Sequence, residues 1–281
     1  MVLNKEIIKK INEFVYTKPR SIHEIAKLIN VNWRTANRYV EKISKEEGSI
    51  STRVFREGTP GALKIVFWNN IEKLHVSEVQ ERLFKQIETG KRREDFSPSE
   101  IFQFVDKNKK KIKIMNKKQY NSPSNFKDFI NRVKGAERQI LFFSGNLTFS
   151  NIKYHDEKIR DILEELGRKK ISSKILTRVD LAGIKNIQDV LSINKRIGHD
   201  AVEIRHCYHP LRTTIIDDKE AVFKEVFDPK NYAKGELKHK LYILYYIYDE
   251  NWIEWLQKVF WHLFRGSLDA RKRIEELKLF M

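Results

Sequence analysis

The chain has 281 residues and a formal net charge of +17, from 55 Lys and Arg against 38 Asp and Glu. Its 41% hydrophobic and 11% aromatic residues exclude a disordered polycation, because such a chain can bury folded cores. A single cysteine, Cys207, excludes a disulfide-stapled secreted scaffold and favours a reducing compartment. The N-terminus lacks a signal-peptide pattern, and the longest apolar run, residues 241–248, is shorter than the roughly 20 residues of a membrane span. We therefore expect a cytoplasmic protein of about two domains, without membrane contact.

The positive charge is densest in the first 120 residues. Residues 1–70 contain 13 basic and 7 acidic side chains, residues 71–120 contain 13 and 8, and residues 121–281 contain 29 and 23. Within the second segment, residues 107–118 include seven lysines and no acid. Such a run favours polyanions because each neutralised phosphate releases counterions, although a solvated lysine face is the simpler alternative. These shifts predict an N-terminal domain (1–70), a helical Lys-rich connector (71–120) and a larger domain (121–281). The lysines that we expect to contact phosphates are Lys109, Lys110 and Lys111.

The first 70 residues predict three helices in close succession. Apolar residues recur at helical spacing over residues 5–15. Ser21 and Glu24 then form a capping-box pattern that begins a second helix over residues 22–29. After a short turn, a third helix is predicted over residues 33–46. Two helices joined by such a turn are typical of a helix-turn-helix.

The residues around this turn, and the two β-rich runs after it, complete the pattern. Asn30 stands where the turn needs a residue that tolerates positive φ, and Asn32 is suited to cap the third helix. Residues 49–56 and 62–67 predict a β-hairpin around a Gly- and Pro-containing loop. The whole stretch closely resembles the winged helix-turn-helix of bacterial and archaeal transcription regulators. The resemblance implies an α+β DNA-binding fold whose hairpin is the wing.

In such a fold the third helix enters the major groove, where Arg reads guanine and Asn reads adenine, and basic wing residues meet the minor groove or phosphates. The alternative is a winged helix that contacts only protein or RNA. The side chains that we expect to bind DNA are Asn32, Trp33, Arg34, Asn37 and Arg38 on the helix, with Arg53, Arg56 and Lys64 on the wing.

Helical and strand patterns alternate in the second domain. The predicted strands cover residues 139–144, 173–179, 201–208, 213–216, 221–226 and 241–248. This alternation predicts an α/β domain whose mainly parallel sheet is covered by helices on both sides. The all-apolar run 241–248 is typical of a central strand covered on both faces. The aromatic closing helix, residues 251–264, fits a core or a subunit interface better than a ligand pocket.

One local motif resembles the signature of the phospholipase D superfamily, in which a His, one residue, a Lys, four residues and an Asp lead out of a strand. Arg212 matches the Lys and Asp217 the Asp, but Pro210 occupies the His position. His209 lies one residue too early, which in a strand is the opposite face. Because a covalent mechanism needs its nucleophile, the resemblance implies a phospholipase D-like fold rather than the reaction.

A winged helix followed by such a domain is similar to archaeal regulators of the TrmB type. The resemblance implies a sequence-specific regulator of transcription that binds double-stranded DNA as a homodimer. Its second domain would serve dimerisation and the sensing of an unidentified small-molecule effector, without a cofactor.

Two alternatives stay open. The chain could be a nucleic-acid phosphodiesterase with a rearranged site at His206 or His209, Arg212 and Asp217. It could instead be a chromatin-like binder without sequence preference. A zinc site at residues 206–209 is disfavoured, because strand alternation places His206 opposite Cys207 and His209, so no metal is expected.

Overall fold

The structure is a computed structural model that describes residues 3–17, 19–46, 49–55, 63–68, 78–154, 157–233 and 236–279. The chain divides into two compact units, Met1–Leu74 and His75–Met281. In its described residues the first unit consists of three helices and three strands. In chain order they are α1 (Lys5–Thr17), β1 (Arg20–Ser21), α2 (Ile22–Leu28), α3 (Trp33–Glu46), β2 (Ile50–Phe55) and β3 (Leu63–Trp68).

The three helices of the first unit enclose an apolar core that includes Ile11, Ile25 and Val40, all fully buried. β2 and β3 pair antiparallel as the hairpin pattern predicts. The two-residue strand β1 pairs with the other edge of β3 and makes a three-stranded sheet in the order β1-β3-β2, which the sequence did not indicate.

Local signals in this unit are confirmed. The main-chain N–H of Ser21 donates to the Glu24 carboxylate at 2.8 Å, and the N–H of Glu24 donates to the Ser21 hydroxyl at 3.2 Å, which is the predicted capping box. Asn30 has a φ of 51° in the turn between α2 and α3. Asn32 Oδ1 accepts from the Thr35 N–H at 2.9 Å and caps α3.

The second unit combines a large sheet with helices. Its helices are α4 (Glu78–Thr89), α5 (Ser99–Phe102), α6 (Lys117–Tyr120), α7 (Pro123–Lys134), α8 (Ile159–Arg168), α9 (Ile184–Ile197), α10 (Glu250–Gly266) and α11 (Ala270–Lys278). Its strands are β4 (Lys110–Asn116), β5 (Gln139–Phe143), β6 (Lys153–Tyr154), β7 (Glu157–Lys158), β8 (Ser172–Thr177), β9 (Val202–His206), β10 (Thr213–Ile216), β11 (Glu220–Phe227), β12 (Leu241–Ile247) and β13 (Leu268–Asp269). Short 3-10 turns lie at Arg93–Asp95, Lys107–Lys109, Thr148–Asn151 and Pro229–Asn231.

The large sheet is mixed, and the prediction of a mainly parallel sheet is wrong. Its strand order is β13-β9-β8-β5-β10-β11-β12-β4. Only the pairs β5–β8 and β8–β9 are parallel, and the other five pairs are antiparallel. The reason is connectivity: α8 and α9 cross over between the parallel strands, whereas β10 and β11 are joined by a tight turn that forces an antiparallel pair.

Two further expectations differ from the structure. The apolar run 241–248 forms β12, which is seventh in the sheet and has a half-buried first half, instead of a central covered strand. The lysine run lies partly in β4, the edge strand that pairs with β12 in the second unit, so this part of residues 71–120 belongs to the sheet and is not a connector. On this edge Ile112 and Ile114 are exposed, while Met115 is buried.

The core of the second unit lies between the sheet and its helices. It includes Phe142 of β5, Leu163 of α8 and Val190 of α9. In α10, Trp255 and Phe260 are almost completely buried, so the aromatic closing helix contributes to the core. No described helix is long and apolar enough to cross a membrane.

Candidate nucleic-acid interface and a cationic cavity

The N-terminal half of α3 presents cationic and aromatic side chains to solvent. Trp33 is 46% exposed, and Arg34 and Arg38 are also exposed. The opposite face of the helix, which includes Ala36 and Val40, is fully buried in the core of the first unit. Burial of one face therefore fixes the helix while three candidate DNA-binding side chains stay free of that core.

Other candidates on this unit already have partners within it. Asn37 Nδ2 donates to Glu41 Oε1 at 3.0 Å, and Lys64 Nζ forms an ion pair with the same oxygen at 2.8 Å. The hydrogen bond from Lys64, then that from Asn37, lower the pKa of the Glu41 carboxyl. The Asn32 side chain is engaged as the helix cap. Glu41 was missed in the sequence, although its position four residues after Asn37 on the helix is the signal for such contact.

The remaining basic candidates are placed differently. Arg53 lies in β2 but its side chain is outside the described residues, and Arg56 is outside them altogether. The other three lie at the edge of the second unit's sheet. Lys109 pairs with Asp249 at 3.5 Å, Lys110 Nζ donates to the Phe102 carbonyl at 2.7 Å, and Lys111 is exposed.

The phospholipase D-like motif is spread over three separate environments. His209 is 3% exposed, and its Nε2 lies 3.2 Å from the Leu176 carbonyl oxygen. Burial, together with the charge of Arg212, lowers the pKa of His209 to about 4. Its ring packs edge-on against Phe143 with 5.3 Å between centroids. His209 is thus a neutral core side chain.

Asp217 has a structural position at the other end of β10. Its carboxylate is 1% exposed and accepts from the main-chain N–H groups of Glu137, Arg138 and Gln139, each at 2.9 Å. Asp217 itself has a φ of 51° in the β10–β11 turn. The carboxylate therefore ties this turn to the start of β5.

Arg212, in contrast, lines a cavity of about 320 Å³. The cavity lies where β5 and β8 end and β10 begins, and neither His209 nor Asp217 is among the described residues that line it. Its basic lining residues are Arg93, Arg132, Arg178, Arg212 and Lys224. Of these five basic residues, the sequence motif indicates only Arg212 as a candidate site residue. The signal for Arg178 was its place just after β8, because the carboxyl ends of neighbouring parallel strands meet at one edge of a sheet.

Lys224 could have been found only from strand pairing. Its main-chain N–H donates to the Arg212 carbonyl at 2.8 Å, which continues the β10–β11 register by one residue. Two cationic residues therefore lie side by side on neighbouring strands, where like charges are destabilising. Among the described residues, no group of three His, Cys, Asp or Glu side chains could hold a metal ion.

No family model and no curated protein matches the chain. Among solved structures, it is similar to NucT from Helicobacter pylori, with 12% identity and a TM-score of 0.40, over 57% of this chain and 99% of that one. It is also similar to Nuc, a phospholipase D family member from Salmonella typhimurium, with 11% identity and a TM-score of 0.41, over 57% and 97%.

A third similar structure, TrmBL2, is an archaeal chromatin protein whose structure is described as showing a novel mode of DNA binding. It has 14% identity and a TM-score of 0.39, and the match covers 95% of this chain and 94% of that one. All three TM-scores are below 0.5, so the function has to be inferred from this chain's own residues.

Proposed function

We propose that this protein is a sequence-specific regulator that binds double-stranded DNA with α3 in the major groove. The observation that carries the proposal is the exposed set of Trp33, Arg34 and Arg38 on a helix whose other face is core. Arg forms bidentate hydrogen bonds with guanine, and a helix fits the width of the groove.

The arrangement of the first unit supports the interpretation as a winged helix, with β2 and β3 as the wing. In this proposal Arg53 and Arg56 approach the minor groove or phosphates, and Asn32, Asn37 and Lys64 act beside α3. Homodimerisation is part of the proposal, because helix-turn-helix proteins read paired half-sites. The second unit would supply the dimer contact and an effector site, and Lys109, Lys110 and Lys111 would add phosphate contacts.

The test is a selection of bound duplexes from a random-sequence library, followed by fluorescence anisotropy with the recovered sequence. Arg38→Ala should weaken binding by about 1–3 kcal/mol and relax the preference at one base pair. Lys10→Ala is the matched control, because Lys10 is an exposed cation on α1 paired only with Glu6 in the described residues. Its affinity should stay within twofold of wild type.

Each alternative predicts a different result from the same material. Binding without any recovered consensus would replace the proposal with a chromatin-like binder, and no binding to duplex at all would refute it.

The phosphodiesterase alternative is supported by Arg212 at the cavity, but it needs a nucleophile there. His209, buried and bonded to a carbonyl, does not line the cavity. Incubation with labelled duplex, with and without EDTA, should leave the DNA intact. Cutting that disappears in His209→Ala would establish the enzyme instead.

A further inference from the structure

The cationic cavity of the second unit contains two kinds of positive side chain. Three arginines form ion pairs: Arg93 with Glu94 at 2.5 Å, Arg132 with Glu220 at 3.5 Å, and Arg178 with Asp180 at 2.6 Å. Their charges are therefore compensated locally.

Arg212 and Lys224 are the other kind, because within the described residues their side chains bond only neutral oxygens. Arg212 Nη1 donates to the Leu211 carbonyl at 2.6 Å, and Lys224 Nζ to the Tyr120 hydroxyl at 3.4 Å. Burial lowers the pKa of Lys224, and the charge of Arg212 lowers it further. Burial, then the charges of Arg178 and Arg93, lower the pKa of Arg212, and the charge of Glu94 acts in the opposite direction. Within the part of the chain that the structure describes, neither of these two half-buried cations forms an ion pair with a carboxylate.

The remainder of the wall combines polar side chains, among them Asn125, Asn146 and Thr148, with a group of aromatic ones. Phe126 and Phe129 of α7 line one side, and Phe149, stacked on Phe142 with 5.0 Å between centroids, lines another. A volume of about 320 Å³ is within the range of small-molecule sites, which combine an apolar lining with a few polar groups. Such a wall suits the body of a small molecule, and the two cations suit a divalent anion.

We propose that this cavity binds a small organic phosphate, with its phosphate group between Arg212 and Lys224 and its apolar body against the phenylalanine wall. The phosphate supplies the missing counter-charge and accepts hydrogen bonds from both side chains. Binding itself is independent of the proposed DNA-binding function. Only the interpretation of this ligand as an effector, which changes the affinity for DNA, depends on the proposed DNA-binding function.

The absence of a side chain at Gly145 leaves room for the guanidinium of Arg212. A Cβ atom added to Gly145 would lie 2.8 Å from Arg212 Nη2. Gly145→Ala therefore displaces the guanidinium without changing any charge, and the side chain is flexible enough for the fold to accommodate the shift.

The experiment is calorimetric titration of the full chain with phenyl phosphate, inorganic phosphate and benzyl alcohol. Phenyl phosphate should bind most tightly, because it alone uses both the cations and the aromatic wall. Lys224→Met and Arg212→Met should each weaken its binding about tenfold to a hundredfold, since a hydrogen bond to a charged group is lost. Gly145→Ala should weaken it in the same direction. Lys272→Met, an exposed cation on α11, is the control and should bind as wild type does.

Thermal unfolding separates a binding role from a structural one. Because Lys224 is desolvated and repelled by Arg212, Lys224→Met should raise the Tm of the free protein although it weakens the binding of phenyl phosphate. Unchanged phenyl phosphate affinity in both Met variants would overturn the proposal. Tighter binding of benzyl alcohol than of phenyl phosphate would also overturn it.

Two further measurements are needed. The first distinguishes a small organic phosphate from nucleic acid as the ligand of the cavity, and the second distinguishes the cavity proposal from the DNA-binding proposal. A ten-nucleotide thymidine oligomer should not displace phenyl phosphate; displacement would assign the cavity to nucleic acid and overturn the small-molecule proposal. Arg38→Ala should bind phenyl phosphate with wild-type affinity. Absence of DNA binding in the wild-type chain, together with retained phenyl phosphate binding, would refute the regulator and leave the cavity assignment intact.

Discussion

Acidification should destabilise the second unit through His209. In the fold its pKa is about 4, against 6.5 as the ordinary value of the imidazole. Because the folded value is depressed, the stabilisation is complete above pH 6.5 and is lost as the pH falls toward 4, where the unfolded chain gains a proton that the folded chain does not. At about 1.36 kcal/mol per pKa unit, the loss is roughly 2 kcal/mol between pH 7 and pH 5, and about 3 kcal/mol by pH 4.

The assay is urea unfolding at pH 7 and pH 5, followed by the fluorescence of Trp255 and Trp261, which are buried in the second unit. His209→Gln is the comparison, because its amide can donate to the Leu176 carbonyl but cannot titrate. The free energy of unfolding of wild type should fall by roughly 2 kcal/mol more than that of the variant. Subtracting the variant removes the contribution of His206, whose pKa burial also lowers. Equal losses in the two proteins would refute the buried neutral imidazole.

Two other substitutions test the remaining assignments. Asp217→Ala should lower the free energy of unfolding by about 3–5 kcal/mol, because three main-chain N–H groups lose a charged acceptor. Asp217→Asn should cost less. A loss below about 1 kcal/mol for the Ala variant in urea unfolding would contradict the role of this carboxylate in tying the β10–β11 turn to β5. Glu41→Gln should release Lys64 from its ion pair and so raise the affinity for DNA. In fluorescence anisotropy, the slope of log affinity against log salt concentration should steepen by about 0.9. Unchanged affinity would argue against contact between DNA and that side of α3.

Features set by neighbours in sequence could be predicted, and features set by distant pairing could not. The capping box at Ser21 and the cap at Asn32 depend on residues three positions apart, so the sequence alone specifies them. The edge strand β4 depends on pairing with β12, where Lys113 faces Leu244, more than a hundred residues away. In β4, Ile112 and Ile114 are exposed although they are apolar, so apolar character does not indicate burial there.

The candidate sites divide in the same way. Arg34 and Arg38 could be found because helical spacing tells which residues share a face. Lys224 could not, since its proximity to Arg212 arises from the register of β10 and β11. The motif at residues 209–217 gave the right strand but grouped three side chains that the fold separates into a core, a cavity and a turn.

Of the three side chains in this motif, only Arg212 lines the cavity. His209 Nε2 and the Asp217 carboxylate bond main-chain groups of the protein, and these contacts contribute to its stability. Arg212 and Lys224 do the reverse, because they keep like charges adjacent and partly out of water with no carboxylate paired to them in the described chain. Stability alone would favour an apolar residue at either position. Proteins break such rules mainly at functional sites, and we infer that an external ligand resolves the conflict here. We therefore propose two distinct uses for the +17 charge, one on the exposed face of α3 and one inside this cavity.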